Sequence, residues 1–320
     1  MPPIITITFN PALDKSITVE ELIPEKKLRC SLPVYEPGGG GINVARAIRK
    51  LGGNPVAYYL AGGDSGKEIT RLLATEHVET MVTAISGRTR ENLVVFEWAT
   101  HAQYLFDMPG PIVTQEECLL FLDSIEGAEG VTYMVASGSL PEGVPADVIA
   151  RIARIARNKN IRLIADTSGE ALREALEEGV YLIKPNLREL GMLVGEEQLD
   201  PEHAVDFARE LIDSGGCEVV VVSMGPLGAL MVTKTDVLKI IPPELDVKST
   251  VGAGDSLVAG IVLSLTEGKC LEEAIQYGVA CGSAATISSG TELCTKADAD
   301  HIFNLIRNDK MDQPQIVKID

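Results

Sequence analysis

Apolar residues recur along this chain in two rhythms that take turns. Short β-branched runs alternate with longer stretches whose apolar positions fall three and four apart, which is the pattern of strand followed by helix. Ile4 to Phe9 is the first run, and the turn signal Asn10-Pro11 stops it. Val56 to Ala61 predicts a second strand and Gly66 to Glu76 a helix. Thr114-x-x-Glu117 is a capping box that opens a helix running to about Asp123. Beyond residue 130 the alternation is regular. Strands are predicted at Val131–Ser137, Ile161–Asp166, Val180–Lys184 and Glu218–Ser223, and short ones at Ala229–Val232 and Leu238–Ile241. Helices are predicted at Pro145–Arg157, Glu170–Glu177, Leu187–Val194, from Asp200-Pro201 to about Asp213, and at Ser256–Thr266, Leu271–Thr286 and Ala297–Arg307. Such repetition implies an α/β three-layer sandwich, a mostly parallel central sheet covered by helices on both faces.

Four runs do not fit that layer. Ile17–Leu22, Ser31–Tyr35, Asn92–Trp98 and Gln103–Met108 alternate weakly, the last two around a turn at His101-Ala102. They predict a small second sheet, a β lid inserted from about 15–36 and 88–108 into a single domain covering 1–320, placed over the ligand edge of the main sheet. Linkers, low-complexity tracts and internal repeats are not evident in the sequence.

Glycine clusters mark where a ligand approaches. Gly38-Gly39-Gly40-Gly41 precedes the small-residue helix Ile42–Ile48, and four glycines cost too much entropy for a simple turn. Asn43, on that helix's first turn, would face the same ligand. Ser249-Thr250-Val251-Gly252-Ala253-Gly254-Asp255-Ser256 runs straight into an apolar helix. Bare backbone amides there, with the helix's unpaired N–H groups and the positive end of its dipole, make an anion site. Asp255 reads either as a helix cap or as a base beside a transferring phosphoryl group. Gly62 to Glu68 is not a P-loop, because that motif needs Gly at 61 and Ser or Thr at 68, where the chain has Ala61 and Glu68.

Ligands of open α/β sheets gather at the carboxyl ends of strands. Four segments follow strands directly: Asn10 to Asp14, Ser137-Gly138-Ser139, Lys184-Pro185-Asn186, and Ser223 to Gly228. Lys184, ending an apolar strand, suits a cation that faces phosphates. Asn186-x-x-Glu189 fits a capping box and a magnesium–water site equally.

Composition narrows the class. The 320 residues are 45% hydrophobic and 4% aromatic with 30 glycines, and net charge is −18. That field disfavours nucleic acid and anionic membranes as partners, so an anionic substrate needs a local patch. Lys26, Lys27, Arg29, Arg46, Arg88 and Arg90 offer one. Six cysteines without C-x-x-C read as reduced thiols, four histidines lack metal-ligand spacing, and no signal segment or bilayer-spanning run is evident. The expectation is a cytoplasmic protein. A dinucleotide oxidoreductase is disfavoured because no G-x-G-x-x-G occurs.

The glycine quartet with Ile42-Asn43-Val44-Ala45, paired with Ser249 to Ser256, resembles the two signatures of the ribokinase-like (phosphofructokinase-B type) carbohydrate kinases. Asn10-Pro11-Ala12-Leu13-Asp14, Lys27-Leu28-Arg29-Cys30, Ser137-Gly138-Ser139-Leu140-Pro141 and Lys184-Pro185-Asn186-x-x-Glu189 resemble its phosphosugar branch. The resemblance covers nearly the whole chain. It implies transfer of the γ-phosphoryl group of ATP, with Mg²⁺ and K⁺, to a hydroxyl of a hexose phosphate, foremost fructose 6-phosphate to fructose 1,6-bisphosphate. It implies that Asp255 is the base and that the amides of Gly252, Ala253, Gly254 and Asp255 hold charge on the moving group. Asp14, Gly39, Gly40 and Asn43 would hold the sugar, and Lys27, Arg29, Arg90 and Ser139 its existing phosphate. Lys184, Asn186, Ser223, Gly225 and Gly228 would serve the nucleotide, and Glu189 the magnesium through water. Ser249, Val251, Ala285, Ser288 and Gly290 would hold potassium, mostly by backbone. It further implies a homodimer through the lid.

Three positions depart from the family pattern: Leu105 and Glu292 stand where it has arginines, and Ser288 where it has asparagine. Leu105 removes a phosphate contact and keeps tagatose 6-phosphate and fructose 1-phosphate open as substrates. A catalytically idle sugar-phosphate sensor on the same scaffold is the alternative of another class, against which the retained Asp255 argues.

Overall fold

Strand β1 (Ile4–Thr8) is buried at every residue, as a continuous apolar run must be when both sheet faces are covered. The computed structural model describes residues 4–196, 199–288 and 292–308, with the backbone of 316–318. β1 lies between β4 (Pro55–Ala61) and β8 (Tyr133–Ser137), parallel to both. Outward from β4 comes β5 (Glu79–Ala84). Outward from β8 come β9 (Arg162–Asp166), β10 (Val180–Ile183) and β11 (Cys217–Ser223), all parallel. β12 (Ala229–Val232), β13 (Val237–Ile240) and β14 (Ile316–Lys318) extend that end antiparallel, completing a ten-stranded sheet among the described residues.

Alternate strand residues sort the core into two sides. Leu163 and Ala165 pack with α3 (Gln115–Glu126), α4 (Val148–Asn158), α5 (Gly169–Glu178), α6 (Leu187–Val194) and α7 (Ala204–Asp213). Ile164 faces the opposite layer, with α1 (Gly40–Lys50), α8 (Ala253–Thr266), α9 (Leu271–Thr286) and α10 (Lys296–Arg307). Each fully buried Leu, Ile or Val contributes roughly 1.5–3 kcal/mol. α2 (Gly63–Thr75) joins α1 over β4 through Ile69, Leu73 and Tyr59. Helix α8 is buried from Ser256 to Leu265 because it lies between α1 and α9. A Cβ at Gly260 would sit 2.7 Å from the Cys281 sulfur, so glycine lets α8 and α9 close up and fixes where Asp255 emerges.

β1 hands the chain through Asn10-Pro11 to β2 (Ala12–Val19), which begins the second sheet. Its order is β3–β2–β6–β7, with β3 at Val34–Gly38, β6 at Arg90–Glu97 and β7 at Gln103–Phe106. β2 pairs parallel with β6, and the other two pairings are antiparallel. His101, at φ 57°, turns the chain between β6 and β7.

The strand boundaries differ from expectation at the points nearest the ligand edge. β2 begins at Ala12 instead of Ile17, so Asp14 is a strand residue opposite Glu36 and Asn92 and not a turn residue. β3 likewise runs on to Gly38, because Pro37 and Gly38 pair with Leu13 and Ala12. β5 and β14 were not expected. β5 is an edge strand with Met81 and Val82 exposed, and without a buried face it carries no apolar alternation to read. No helix among the described residues is long and apolar enough to cross a membrane.

Candidate active site

β1 is the strand at which the order reverses, since its neighbours β4 and β8 lead in opposite directions. Ligands of such sheets bind outside the carboxyl ends at that point. Thr8, the glycine quartet and Ser137-Gly138 converge there. A Cβ at Gly40 would lie 2.3 Å from Ser137 Oγ and 2.7 Å from the Gly138 nitrogen, and one at Gly41 would lie 2.5 Å from Thr8 Oγ1. Close backbone approach explains the quartet.

Gly252 caps α8 in the left-handed region, at φ 74°. A Cβ there would be strained by that angle and would also meet Leu293 at 2.6 Å. The Ala253 amide donates to Thr250 O at 3.4 Å. Gly254 and Asp255 bring their amides to the helix's first turn, where N–H groups have no intrahelical partner. Asp255 lies inside that turn and is not the cap residue, which is Gly252, so the helix-cap reading of its position does not hold. Its Oδ2 accepts from Asn43 Nδ2 at 2.9 Å, joining the quartet's helix to the anion loop across 212 residues of sequence. Burial pushes the Asp255 carboxyl up to about 7; Asp166 and Asp14 push the same way, while the Asn43 hydrogen bond and Lys184 hold it down.

Asp14 stands at the facing wall. Its Oδ1 accepts from Asn92 Nδ2 at 2.9 Å, and its Oδ2 occupies the space a side chain at Gly38 would need. Burial raises Asp14 to about 6, opposed by the Asn92 bond and Arg90. Arg90 spans the mouth, donating to Met108 O at 3.1 Å, to Asn10 O at 3.2 Å and to the Asp107 carboxylate. Its Nε is buried without a partner among the described residues. Ser139 accepts from Asn10 Nδ2 at 3.1 Å.

The basic patch expected from the sequence is only partly assembled. Arg46 is buried, bonded to Glu36, Glu76 and Pro37 O, and ties β3 to the end of α2 instead of facing a ligand. Arg88 pairs with Glu91. Lys26, Lys27 and Arg29 are exposed on the connection from β2 to β3.

At the other end of the cleft, Lys184 follows β10 and is 7% exposed. Its Nζ is 3.1 Å from Asp166 Oδ1 and 3.4 Å from where a Cβ on Gly254 would stand, so the ammonium lies against the anion loop. Burial works against that charge, but Asp166 outweighs it and holds Lys184 above its ordinary range. Asp166 was missed by sequence reasoning, although it ends a predicted strand at the ligand edge. It also accepts from Ser137 Oγ at 3.3 Å. Asn92 was not singled out either, and Asn10 entered only as the start of the segment Asn10 to Asp14, without a role of its own.

Asn186 and Glu189 form the complete capping box, Glu189 N donating to Asn186 Oδ1 at 2.8 Å and Asn186 N to Glu189 Oε2 at 2.9 Å. Ser223 bridges back to this segment, its amide donating to Pro185 O at 2.9 Å. Gly225 and Gly228 turn the chain at φ 56° and 88°, and a Cβ at Gly228 would meet Ile240 O at 1.9 Å. Ser249 is buried, its Oγ donating to Gln103 of β7 at 3.2 Å and accepting from the Val251 amide at 3.2 Å. Thr286 O accepts from the amides of Lys248 and Ser249, which sets the segment carrying Ser249 and Val251 beside the end of α9 with Ala285 and Ser288. Gly290 lies outside the described residues.

Residues 8–298 match the family model of pfkB family carbohydrate kinases. The chain is 43% identical over 301 residues to ATP-dependent 6-phosphofructokinase isozyme 2 of Escherichia coli, covering 94% of this chain and 97% of that one. It is 35% identical over 291 residues to 1-phosphofructokinase of Bacillus subtilis, covering 90% and 95%. Its structure is similar to that of phosphofructokinase-2 from Escherichia coli in complex with potassium, at a TM-score of 0.91 and 42% identity, covering 95% and 99%. The tetrameric inhibited form of the same enzyme is similar at a TM-score of 0.90, with the same identity and coverage.

Proposed function

The chain belongs to the pfkB family of carbohydrate kinases, and from that premise we propose that it is an ATP-dependent 6-phosphofructokinase, moving the γ-phosphoryl group of ATP onto the 1-hydroxyl of fructose 6-phosphate. The observation that carries this reading is Asp255, bonded to Asn43 and sharing the anion loop with Lys184, in a chain whose identity to the Escherichia coli enzyme spans nearly its full length.

Asp255 takes the proton of the attacking hydroxyl as its oxygen bonds to phosphorus, and the pair from the broken P–O bond leaves on ADP. A base whose carboxyl titrates near 7 is well matched to this task at neutral pH. Phosphoryl transfer has a loose transition state, so positioning and charge neutralisation supply most of the acceleration. The amides at Gly252 to Asp255 and the Lys184 ammonium serve that purpose. Asp14, Gly39, Gly40 and Asn43 hold the sugar. Arg90, with its unpartnered Nε, and Ser139 hold its phosphate, and Lys27 and Arg29 add positive charge. Asn186, Ser223, Gly225 and Gly228 line the nucleotide side. Mg²⁺ in such sites is bound by one or two carboxylates and the substrate's own phosphates, which suits Glu189 near Lys184. The neutral oxygens of Ser249, Val251, Ala285 and Ser288, on two segments already bonded together, fit a K⁺ ion, whose charge would reinforce the anion loop from behind.

A coupled assay with MgATP over fructose 6-phosphate, tagatose 6-phosphate, fructose 1-phosphate and the free sugars tests the reading. Fructose 6-phosphate is expected to give the highest kcat/KM, and its rejection in favour of another sugar would refute the assignment. Leu105, 56% exposed on β7 where the family pattern has a cation, is the observation that favours the other two phosphates.

Both edges of the second sheet carry exposed apolar groups, Val34 and Tyr35 on β3 and Tyr104, Leu105 and Phe106 on β7. Uncovered edges of this kind promote pairing, and two such sheets closing on each other would make a homodimer. Sedimentation is expected to give a multiple of the chain mass, with Phe106→Asp shifting it toward a single chain. A wild-type protein of single-chain mass would exclude the dimer.

A further inference from the structure

Asn10 stands between the two groups that the proposed function assigns to the sugar's phosphate, and no part of that assignment uses it. It is 7% exposed. Its side-chain Nδ2 donates to Ser139 Oγ at 3.1 Å, and its backbone oxygen accepts from Arg90 Nη2 at 3.2 Å. Around it the packing is tight, since a Cβ at Gly110 would lie 2.2 Å from Asn10 Oδ1. Arg90 also grips Met108 O, while the Met108 amide donates to Asn92 Oδ1 at 3.1 Å and Asn92 in turn holds Asp14. One bonded chain therefore runs Ser139–Asn10–Arg90–Met108–Asn92–Asp14, from the phosphate end of the acceptor to its hydroxyl end.

Resting on the reading of Arg90 and Ser139 as phosphate ligands, we propose that Asn10 is a positioning residue that sets the spacing of these two groups and so the affinity of the site for the phosphorylated sugar. A short, planar amide just after β1 suits this place. It reaches Ser139 while its own carbonyl, on the rigid end of the central strand, anchors the guanidinium. Aspartate is nearly isosteric but adds a negative charge beside the incoming phosphate, and alanine removes the side-chain link without altering the backbone contact to Arg90.

The test measures steady-state kinetics of Asn10→Asp, Asn10→Ala, Ser139→Ala and the Asn10→Ala/Ser139→Ala pair in the full chain, with fructose 6-phosphate and MgATP varied separately. Loss of a hydrogen bond between two neutral groups is worth about two- to tenfold, and aspartate adds a negative charge beside the phosphate. Asn10→Asp is therefore expected to raise KM for fructose 6-phosphate by about tenfold or more, with kcat within about threefold and KM for MgATP unchanged. The double variant should raise KM by clearly less than the product of the two single effects, as residues acting through one contact do. A purely structural role would instead move kcat, both KM values and Tm together. Unchanged KM in Asn10→Asp and Asn10→Ala, or multiplicative effects in the cycle, would overturn the inference while wild-type turnover left the function standing. A wild-type enzyme that turned over no phosphosugar would remove both. If Asn10→Asp does not fold, the alanine cycle alone decides.

Discussion

Asp255→Asn is expected to lower kcat by at least about 10²-fold while the affinity for MgATP stays within about twofold. Asparagine keeps the shape of the side chain and an oxygen that accepts from Asn43 Nδ2, now at 2.9 Å from Asp255, so the cleft should hold its geometry while losing its base. The pH dependence gives an independent check. With Asp255 pushed up to about 7, chiefly by burial, wild-type turnover should rise as pH climbs through that value and the carboxylate forms. The residual turnover of the variant should lack this rise. Stability should respond with the opposite sense. The folded pKa lies above the ordinary 3.8, so between about pH 4 and 7 the native chain retains a proton that the unfolded chain has released. Stability therefore falls as pH rises through this window. Asp255→Asn should show a larger Tm gain over wild type at pH 8 than at pH 5. Near-wild-type kcat in the variant would end the base assignment, and an equal Tm difference at both pH values would show that no linked titration occurs there.

Much of this arrangement was readable from the chain. The strand–helix rhythm after residue 130 matches β8 to β11 and α4 to α7 within a few residues, because strands buried on both faces and helices with one apolar side leave unmistakable periods. What escaped was structure held by contacts distant in sequence. β5 is exposed on an edge, and the start of β2 depends on pairing with Arg90 and Gly38. Arg46 counted toward a basic patch because its charge is visible in sequence, whereas Glu36 and Glu76, which occupy it, are brought there by the fold. Asp255 and the two glycine clusters were legible since their chemistry is local, a bare backbone at the start of a helix. Asp166 was not, because its meaning comes from Lys184 on the neighbouring strand end. Asn186-x-x-Glu189 shows a further limit: its spacing satisfies a capping box, which forms, without excluding a second use for Glu189.

That dependence on Lys184 makes Lys184→Met the other substitution with a large expected effect. The ammonium is almost fully buried, 3.1 Å from Asp166 and within the field of Asp255 and Glu189. Methionine matches its length but leaves those carboxylates without a counter-charge, and breaking a buried pair from one side costs roughly 3–5 kcal/mol. Tm should fall by several degrees. Activity should fall further than stability accounts for, because the same group faces the anion loop beside Gly254. A decrease of at least about 10²-fold in kcat/KM for MgATP is expected, the size seen when one preorganised donor to a transferring group is removed. Lys184 is also one of the groups that hold the Asp255 carboxyl down, so its loss should carry the rise of kcat with pH to a higher value. This shift separates two roles that a simple loss of activity would confound. If the lysine touched only nucleotide phosphates, KM for MgATP would change and the pH profile would stay in place. If it only braced Asp166, Tm would fall and both kinetic measures would hold. Movement of all three together is what its position, against the Asp166 carboxylate and within the field of Asp255, requires.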